Sequence, residues 1–219
     1  MPVSPIYLIF FAILVFFFVL LEIDVLTFAF SRLGLSPDTG LLILFASLAG
    51  SGINIPVFRL QAEGPAESPP PPPAFGPWGH RPPPFTGTTV IAVNLGGCII
   101  PVLLSLYLLQ LHPLSLGEVI TAIALVGAVS YFTSRPVPGM GIAMPMFVAP
   151  LVAVLTAWLL DSAHAPPLAY ICGTLGVLIG ADLLHLREIP HIGAPLASIG
   201  GAGTFDGIFF TGVIAALLA

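Results

Sequence analysis

The feature that most constrains this chain is a series of apolar runs long enough to cross a membrane. A transmembrane helix needs about 20 mostly apolar residues. Runs near this length lie at about 5–23, 40–58, 88–111, 115–133, 146–161, 168–186 and 204–218. They predict an all-α polytopic integral membrane protein with about seven transmembrane helices in a single membrane domain, residues 1–219. An apolar patch at 25–35 is too short to span and is expected to lie at the interface or to re-enter.

Composition supports this class and excludes others. Hydrophobic residues make up 57% of the 219 residues and charged residues only 7%, against about 25% charged in an ordinary soluble domain. The chain has no Lys and five Arg, so no basic patch exists that could hold a nucleic acid. Cys98 and Cys172 lie inside apolar runs, where a thiol usually behaves as a small buried hydrophobe. Neither a metal nor a cofactor is implied.

The arginines predict the orientation, because cytoplasmic loops hold the excess of basic residues. With the spans numbered as above, the N-terminus shares one side with Arg59, Arg81, Arg135 and Arg187, and only Arg32 lies on the other side. The N-terminus is therefore expected in the cytoplasm and the C-terminus outside. The first apolar run follows Met1-Pro-Val-Ser without a basic region, which favours a transmembrane helix over a signal peptide. With no organelle signal, a prokaryotic plasma membrane is expected.

A proline-rich loop occupies residues 59–87 and contains the runs 69–73 and 82–84. Such sequence cannot build a packed core and tends to an extended polyproline helix. A semi-rigid or disordered cytoplasmic loop is expected, and the alternative is a docking site for a domain with an aromatic groove.

Prolines and asparagines inside apolar runs predict breaks in the helices. The segment Gly52-Ile-Asn54-Ile-Pro56 and the segment from Asn94 to Pro101 both show this pattern, and residues 135–145 are rich in Pro and Gly. Broken helices are tolerated where protein or a water-filled cavity surrounds them, so an internal polar site is one interpretation. The other is a packing kink, with Asn54 and Asn94 hydrogen-bonded between helices.

Two aspartates are the strongest candidates for chemistry, since ionisable groups inside a membrane are costly and usually functional. Asp182 lies near the cytoplasmic end of the sixth expected span and Asp206 at the start of the seventh. The two spans, residues 168–218, would form an antiparallel pair that carries both carboxylates at a similar depth on one side.

Two carboxylates a few ångströms apart share one proton, so the pair can act as base and acid at once. Peptide hydrolysis by such a dyad needs no metal. Neighbouring glycines would let a substrate backbone approach closely; they are Gly200, Gly201, Gly203 and Gly207. Capping of the seventh helix by Asp206 explains that residue equally well.

The segment Gly200-Gly-Ala-Gly-Thr-Phe-Asp206-Gly-Ile-Phe-Phe-Thr-Gly212 resembles the glycine-aspartate signature of presenilin-type and signal-peptide-peptidase-type intramembrane aspartyl proteases. The resemblance covers residues 168–218 and implies that Asp182 and Asp206 are catalytic. It departs from the signature at Thr204 and Phe205, which separate the glycine from the aspartate, and at Ala181, where an aromatic residue is usual.

The whole chain is similar to an uncharacterised prokaryotic family of membrane proteins, domain of unknown function 1614. The segments that carry the similarity are Gly-Ile-Asn-Ile-Pro at 52–56, Asn-x-Gly-Gly at 94–97 and Gly-Gly-Ala-Gly-Thr-Phe-Asp-Gly-Ile-Phe at 200–209. This resemblance implies no activity.

The leading hypothesis is an intramembrane aspartyl protease, or a protease-like protein, that acts on transmembrane peptide substrates, with the segment 138–145 shaping substrate access. A small transporter or channel is the rival, in which the breaks at Asn54 and Asn94 hold a substrate and an aspartate binds a proton or cation. A non-catalytic scaffold is the third class. A metal site of Asp182, His185, His191 and Asp206, or serine chemistry at Ser198 and His191, is a weaker alternative.

Overall fold

The computed structural model describes residues 23–61, 87–137, 141–201 and 207–219. Over these residues the protein is mostly helical. The helices are α1 (Ile23–Arg32), α2 (Pro37–Gly50), α3 (Ile100–Leu111), α4 (Leu116–Thr133), α5 (Val148–Leu160), α6 (Ala165–Val177) and α7 (Gly207–Leu218). Two π-helical turns extend them, Leu95–Ile99 before α3 and Leu178–Leu183 after α6.

Among the described residues, α4 and α6 with its π-helical turn are long and apolar enough to cross a membrane, and the bent pair α1–α2 could count as a third span. The expected seven spans are thus not confirmed, and nearly all of the first, residues 5–22, lies outside the described residues. The helical axes of α1 and α2 differ by 114°, and Gly34 at the elbow has φ +78. The apolar patch at 25–35 therefore forms α1 and the elbow instead of a span of its own.

The all-α expectation is confirmed only in part, because five short strands interrupt a mostly helical structure. The strands are β1 (Asn54–Gln61), β2 (Thr88–Asn94), β3 (Arg135–Val137), β4 (Gly141–Ala143) and β5 (Leu196–Ile199). β2 pairs antiparallel with β1 and parallel with β5, and β3 pairs antiparallel with β4. The second expected span thus ends at Gly50, and the third begins as a strand. Most of the expected proline-rich loop, residues 62–86, lies outside the described residues.

Helix α6 is the centre of the bundle, and Leu168 to Thr174 are all buried. Helix α7 packs antiparallel to it: Ile208 contacts Val177 and Ala181 in one buried cluster, and Gly212 lies against Tyr170. On the other side of α6, the backbones of Gly127 and Gly176 approach closely. Glycines remove the side chains that would hold these helices apart, as is common where helices pack tightly.

These helix directions give the molecule two ends. The sheet end holds β1 to β5, the π-helical turn Leu178–Leu183 and the start of α7. The opposite end holds the α1–α2 elbow, the α3–α4 and α5–α6 connections and Ala219, whose carbonyl oxygen accepts a 2.9 Å hydrogen bond from Nε1 of Trp158. The candidate polar residues gather at the sheet end.

Candidate functional site

A buried amide network joins three strands and two helices at the sheet end. Asn54 and Asn94 face each other across β1 and β2. Nδ2 of Asn94 donates to Oδ1 of Asn54 at 3.0 Å and to the carbonyl oxygen of Ser51 at 2.7 Å. Oγ of Ser198 in β5 donates to the same Oδ1 of Asn54 at 2.5 Å. The hydrogen bond expected between the two asparagines is therefore present, but it joins strands instead of helices.

Asn94 also starts the helix that follows β2. Its Oδ1 accepts a 2.8 Å hydrogen bond from the backbone N–H of Gly97, so Asn94 caps the π-helical turn before α3. Two residues after Asn94, Gly96 packs against the end of α2, where a Cβ would overlap the carbonyl oxygen of Ser47. Asn94 is fully buried, and all of its described hydrogen bonds are internal. These contacts join the strands, and the role of Asn54 and Asn94 as substrate ligands stays a prediction.

Asp182 lies on the π-helical turn that follows α6. Such turns inside α-helices are frequent at functional sites. Oδ2 of Asp182 accepts a hydrogen bond from the backbone N–H of Gly200 at 3.2 Å. A hydrogen bond to the ionised carboxylate stabilises its charge. The contact also joins the end of α6 to the loop that follows β5.

A cleft of about 140 Å³ opens beside Asp182. One wall is β5 and the other is β4, and Asp182 and Ser198 supply polar side chains. The other lining residues are mostly apolar or glycine; they are Gly141, Ile142, Ile189, Ile192, Ala194, Leu196, Ala197, Ile199 and Gly201. The segment 138–145 was expected to shape substrate access, and its strand β4 does border this cleft.

The loop after β5 turns through two glycines in the left-handed region, Gly200 with φ +83 and Gly201 with φ +91. A Cβ on Gly200 would lie 2.6 Å from Cβ of Cys98 and 2.7 Å from its backbone nitrogen. The close approach at Gly200 is thus made by the protein itself, whereas Gly201 lines the cleft. Cys98 is buried in this contact.

Asp206 and Gly203 lie outside the described residues, and Gly207 is the first residue of α7. The distance between the two aspartates is therefore not described. What the structure does describe is the next turn of α7, where Ile208 packs against Ala181, the neighbour of Asp182.

His185 and Ser198, which belong to the alternative sites, have hydrogen-bond partners within the protein. His185 is buried, with Nδ1 hydrogen-bonded to the carbonyl oxygen of Gly180 at 3.0 Å and its ring 4.7 Å from that of Tyr131. Within residues 23–61, 87–137, 141–201 and 207–219, no group of three His, Cys, Asp or Glu could hold a metal ion. The Ser198 hydroxyl is already donated to Asn54.

Sequence reasoning missed the link between Ser198 and Asn54 and the link between Gly200 and Asp182. The first joins residues 144 positions apart and the second joins residues 18 apart. Neither produces a local pattern. The adjacent glycines 200 and 201 did predict a turn. They gave no indication that the backbone N–H of Gly200 donates to the carboxylate of Asp182.

A family model described as protein of unknown function (DUF1614) matches residues 48–218. The chain belongs to this DUF1614 family. The match covers the sheet, the cleft and helices α3 to α7, so the whole candidate site lies inside the family region. It confirms the resemblance to an uncharacterised family, and the comparisons give no support to the resemblance to presenilin-type proteases. No curated protein and no solved structure matches this DUF1614 chain.

Proposed function

We propose that this DUF1614 protein is an integral membrane endopeptidase that hydrolyses membrane-embedded substrates with the carboxylates of Asp182 and Asp206. The observation that carries the proposal is the position of Asp182, on the wall of a cleft and hydrogen-bonded to the loop that leads to α7. An ionisable side chain near the end of a candidate membrane span is a functional residue by default.

The sequence supports a partnership with Asp206, because Asp206 directly precedes Gly207, the first residue of α7. In the first turn of α7, Ile208 packs in one buried cluster with Ala181, the neighbour of Asp182.

The chemistry follows from two carboxyl groups that share a proton. The ionised one removes a proton from water, whose oxygen attacks the peptide carbonyl carbon. The protonated one gives its proton to the leaving nitrogen as the carbon–nitrogen bond breaks. Within the described sheet, β5 is an edge strand, so its backbone groups beside Asp182 could pair with an extended substrate.

Proximity of the two aspartates can be tested without a substrate. In a variant with Cys98→Ala and Cys172→Ala, the pair Asp182→Cys and Asp206→Cys should form a disulfide under mild oxidation, because a disulfide needs Cβ atoms about 4 Å apart. The matched control is Asp182→Cys with Asp161→Cys at the opposite end, which should stay reduced. A test pair that forms no more disulfide than the control would end the dyad proposal.

Activity is tested with reconstituted full-length protein and a panel of single-span fusion proteins with a reporter at each end. Cleavage should disappear in Asp182→Asn and in Asp206→Asn, and it should persist in Asp161→Asn. Each variant is first checked for an unchanged circular dichroism spectrum. Cleavage that survives in either dyad variant would overturn the assignment.

The second candidate is a small proton- or cation-coupled transporter, which is favoured by the sharp bend between α1 and α2, since broken helices form sites in transporters. Uptake into liposomes that follows a proton or sodium gradient, and that disappears in Asp182→Asn, would support it. A scaffold role would instead leave cells unaffected by both aspartate substitutions.

Membrane placement is proposed with the sheet end in the cytoplasm, because Arg59, Arg135 and Arg187 lie there and the opposite end holds Glu118 and Asp161 with Arg32. This puts the C-terminal Ala219 outside. In the variant without native cysteines, Arg187→Cys and Ser162→Cys each introduce a single thiol. The two thiols should react with an impermeant reagent from opposite sides of the membrane. Reaction of both from one side would reject this topology.

A further inference from the structure

Three exposed arginines surround the core of the sheet end. Arg59 lies in β1, Arg135 begins β3, and Arg187 follows the π-helical turn after α6. A buried cluster lies among them, in which Ile189 and Ile192 pack with Leu60 of β1, with Leu186 beside Arg187, and with Ile142 of β4, the strand that pairs with β3. We call these three residues the arginine rim.

Among the described residues, no acidic side chain pairs with a guanidinium group of the arginine rim. The ion pair that the described residues do contain joins His164 to Asp161 at the opposite end. The described part of the chain shows no hydrogen bond from Arg59, Arg135 or Arg187. Unpaired guanidinium groups favour anionic oxygens from outside, and phosphate suits their planar donor geometry.

Each arginine of the rim has large exposed apolar neighbours. Val57 is 59% exposed beside Arg59, Phe132 is 81% exposed near Arg135, and Leu184 is 55% exposed near Arg187. A charged head beside an apolar side chain matches the boundary between headgroups and hydrocarbon, where the apolar part enters the lipid and the charge stays at the phosphates.

We propose that the arginine rim binds the phosphates of anionic lipid headgroups and so fixes the depth of the sheet end in the membrane. The proposal rests on the membrane placement proposed above, but not on any catalytic role. The cluster enclosed by the rim contributes Ile142, Ile189 and Ile192 to the cleft wall. Bound anionic lipids therefore lie around the cleft that holds Asp182.

The test uses full-length protein in neutral detergent micelles, titrated with fluorescent phosphatidylglycerol and, separately, with fluorescent phosphatidylcholine. Each of Arg59→Gln, Arg135→Gln and Arg187→Gln should weaken phosphatidylglycerol binding about fivefold, as expected for one basic residue at an anionic surface. The triple variant should lose about a hundredfold. Added salt should reduce the affinity of the wild type more than that of the triple variant.

Arg32→Gln is the matched control, since Arg32 is also exposed but lies at the elbow of the opposite end. It should leave phosphatidylglycerol binding unchanged. Arg59→Lys, Arg135→Lys and Arg187→Lys should retain most of the affinity, because they retain the charge. If the triple Gln variant loses its helical circular dichroism spectrum, the single variants decide the question.

Two results would overturn the proposal. One is equal affinity for phosphatidylcholine and phosphatidylglycerol in the wild type, which would show that only the acyl chains bind. The other is a loss in Arg32→Gln as large as in the rim variants. Failure of the membrane placement itself would be distinguished by protein that stays in the soluble fraction of cells without detergent.

Discussion

At the scale of single residues, the position of Asp182 depends on a glycine that is distant in sequence. The backbone N–H of Gly200 reaches Oδ2 of Asp182 because the loop turns through the left-handed region and presses against Cys98. An L-amino acid at this φ costs about 1–2 kcal/mol, and here a Cβ has no free space. Backbone geometry therefore restricts position 200 independently of any catalytic role.

Gly200→Ala is expected to destabilise the protein by about 2–4 kcal/mol, the sum of the left-handed strain and the displacement of Cys98. Gly193→Ala is the matched control: its φ is +71, but nothing lies within 4 Å of its Cβ position, so it should lose only about 1–2 kcal/mol. Both are measured by unfolding titrations in mixed micelles. Equal losses in the two variants would mean that the contact with Cys98 is unimportant.

The pair of Asp161 and His164 predicts a dependence on pH at the opposite end. Burial alone would raise the pKa of the Asp161 carboxyl, but hydrogen bonds from the His164 ring and from the backbone N–H groups of His164 and Ala163 hold that pKa below its ordinary value of 3.8. Since the folded pKa is the lower one, the stabilisation is present above pH 3.8 and is lost as pH falls through the folded pKa.

Asp161→Asn should therefore be less stable than the wild type near neutral pH, by less than about 1 kcal/mol for so exposed a pair. The difference should shrink as pH falls below 3.8. In a His164→Ala background the same substitution should have a smaller effect, as a double-mutant cycle would measure. A difference that grows on acidification would have the wrong sign for this account.

At the scale of elements, glycines let α4 pack closely against α6 and its π-helical turn, but the space available for a Cβ differs from one glycine to another. A Cβ on Gly180 would overlap the carbonyl oxygen of Gly127, whereas a Cβ on Gly127 would find the carbonyl oxygen of Gly176 at an ordinary 3.4 Å. Alanine gains about 1 kcal/mol over glycine in a helix. Overpacking costs about 1–3 kcal/mol and more where backbone must move.

The two substitutions should therefore change stability in opposite directions. Gly180→Ala is expected to lower the free energy of unfolding by about 1–3 kcal/mol, and Gly127→Ala to leave it unchanged or raise it by up to about 1 kcal/mol. Unfolding titrations of both variants under one condition provide the comparison. If Gly180→Ala is as stable as the wild type, the helices can separate at no cost and the close packing has no energetic weight.

The elements also show what the sequence could and could not predict. Helices α4, α5 and α7, and α6 taken with its π-helical turn, begin and end within three residues of the expected bounds, because long apolar runs leave few choices. The strand β2 was missed, since Thr88 to Val93 continues into the apolar residues of α3 and periodicity alone does not separate a buried strand from a helix. Its β-branched residues were the available signal. Pro56 suits an edge strand, which β1 is.

The candidate site was predictable only in part. Ionisable residues are so rare in this chain that Asp182 is conspicuous without any structure. Its contact with Gly200 and the network of Asn54, Asn94 and Ser198 depend on strand pairing, which the helical prediction could not contain. The partnership of Asp182 with Asp206 stays a prediction.

At the scale of the whole molecule, the helices are short for a membrane. α5 has 13 residues and α7 has 12, which gives lengths of about 20 and 18 Å at 1.5 Å per residue. The hydrocarbon core of a typical bilayer is about 30 Å thick. Exposed apolar side chains continue beyond the helices onto β1, at Ile55, Val57 and Phe58, so part of the sheet end is expected to share the hydrocarbon region.

This geometry predicts that the protein prefers thin bilayers. In phosphatidylcholine bilayers of increasing acyl-chain length, the thermal unfolding midpoint should be highest in the shorter chains and fall as the chains lengthen, because each ångström of mismatch costs a fraction of a kcal/mol. Phe58→Gln should steepen this fall, since it shortens the apolar surface at the sheet end. Leu114→Gln, at a partly buried residue of the opposite end, tests whether the effect is specific to the sheet end. A midpoint that rises steadily with chain length would contradict the prediction and would mean that longer segments of the chain set the apolar thickness.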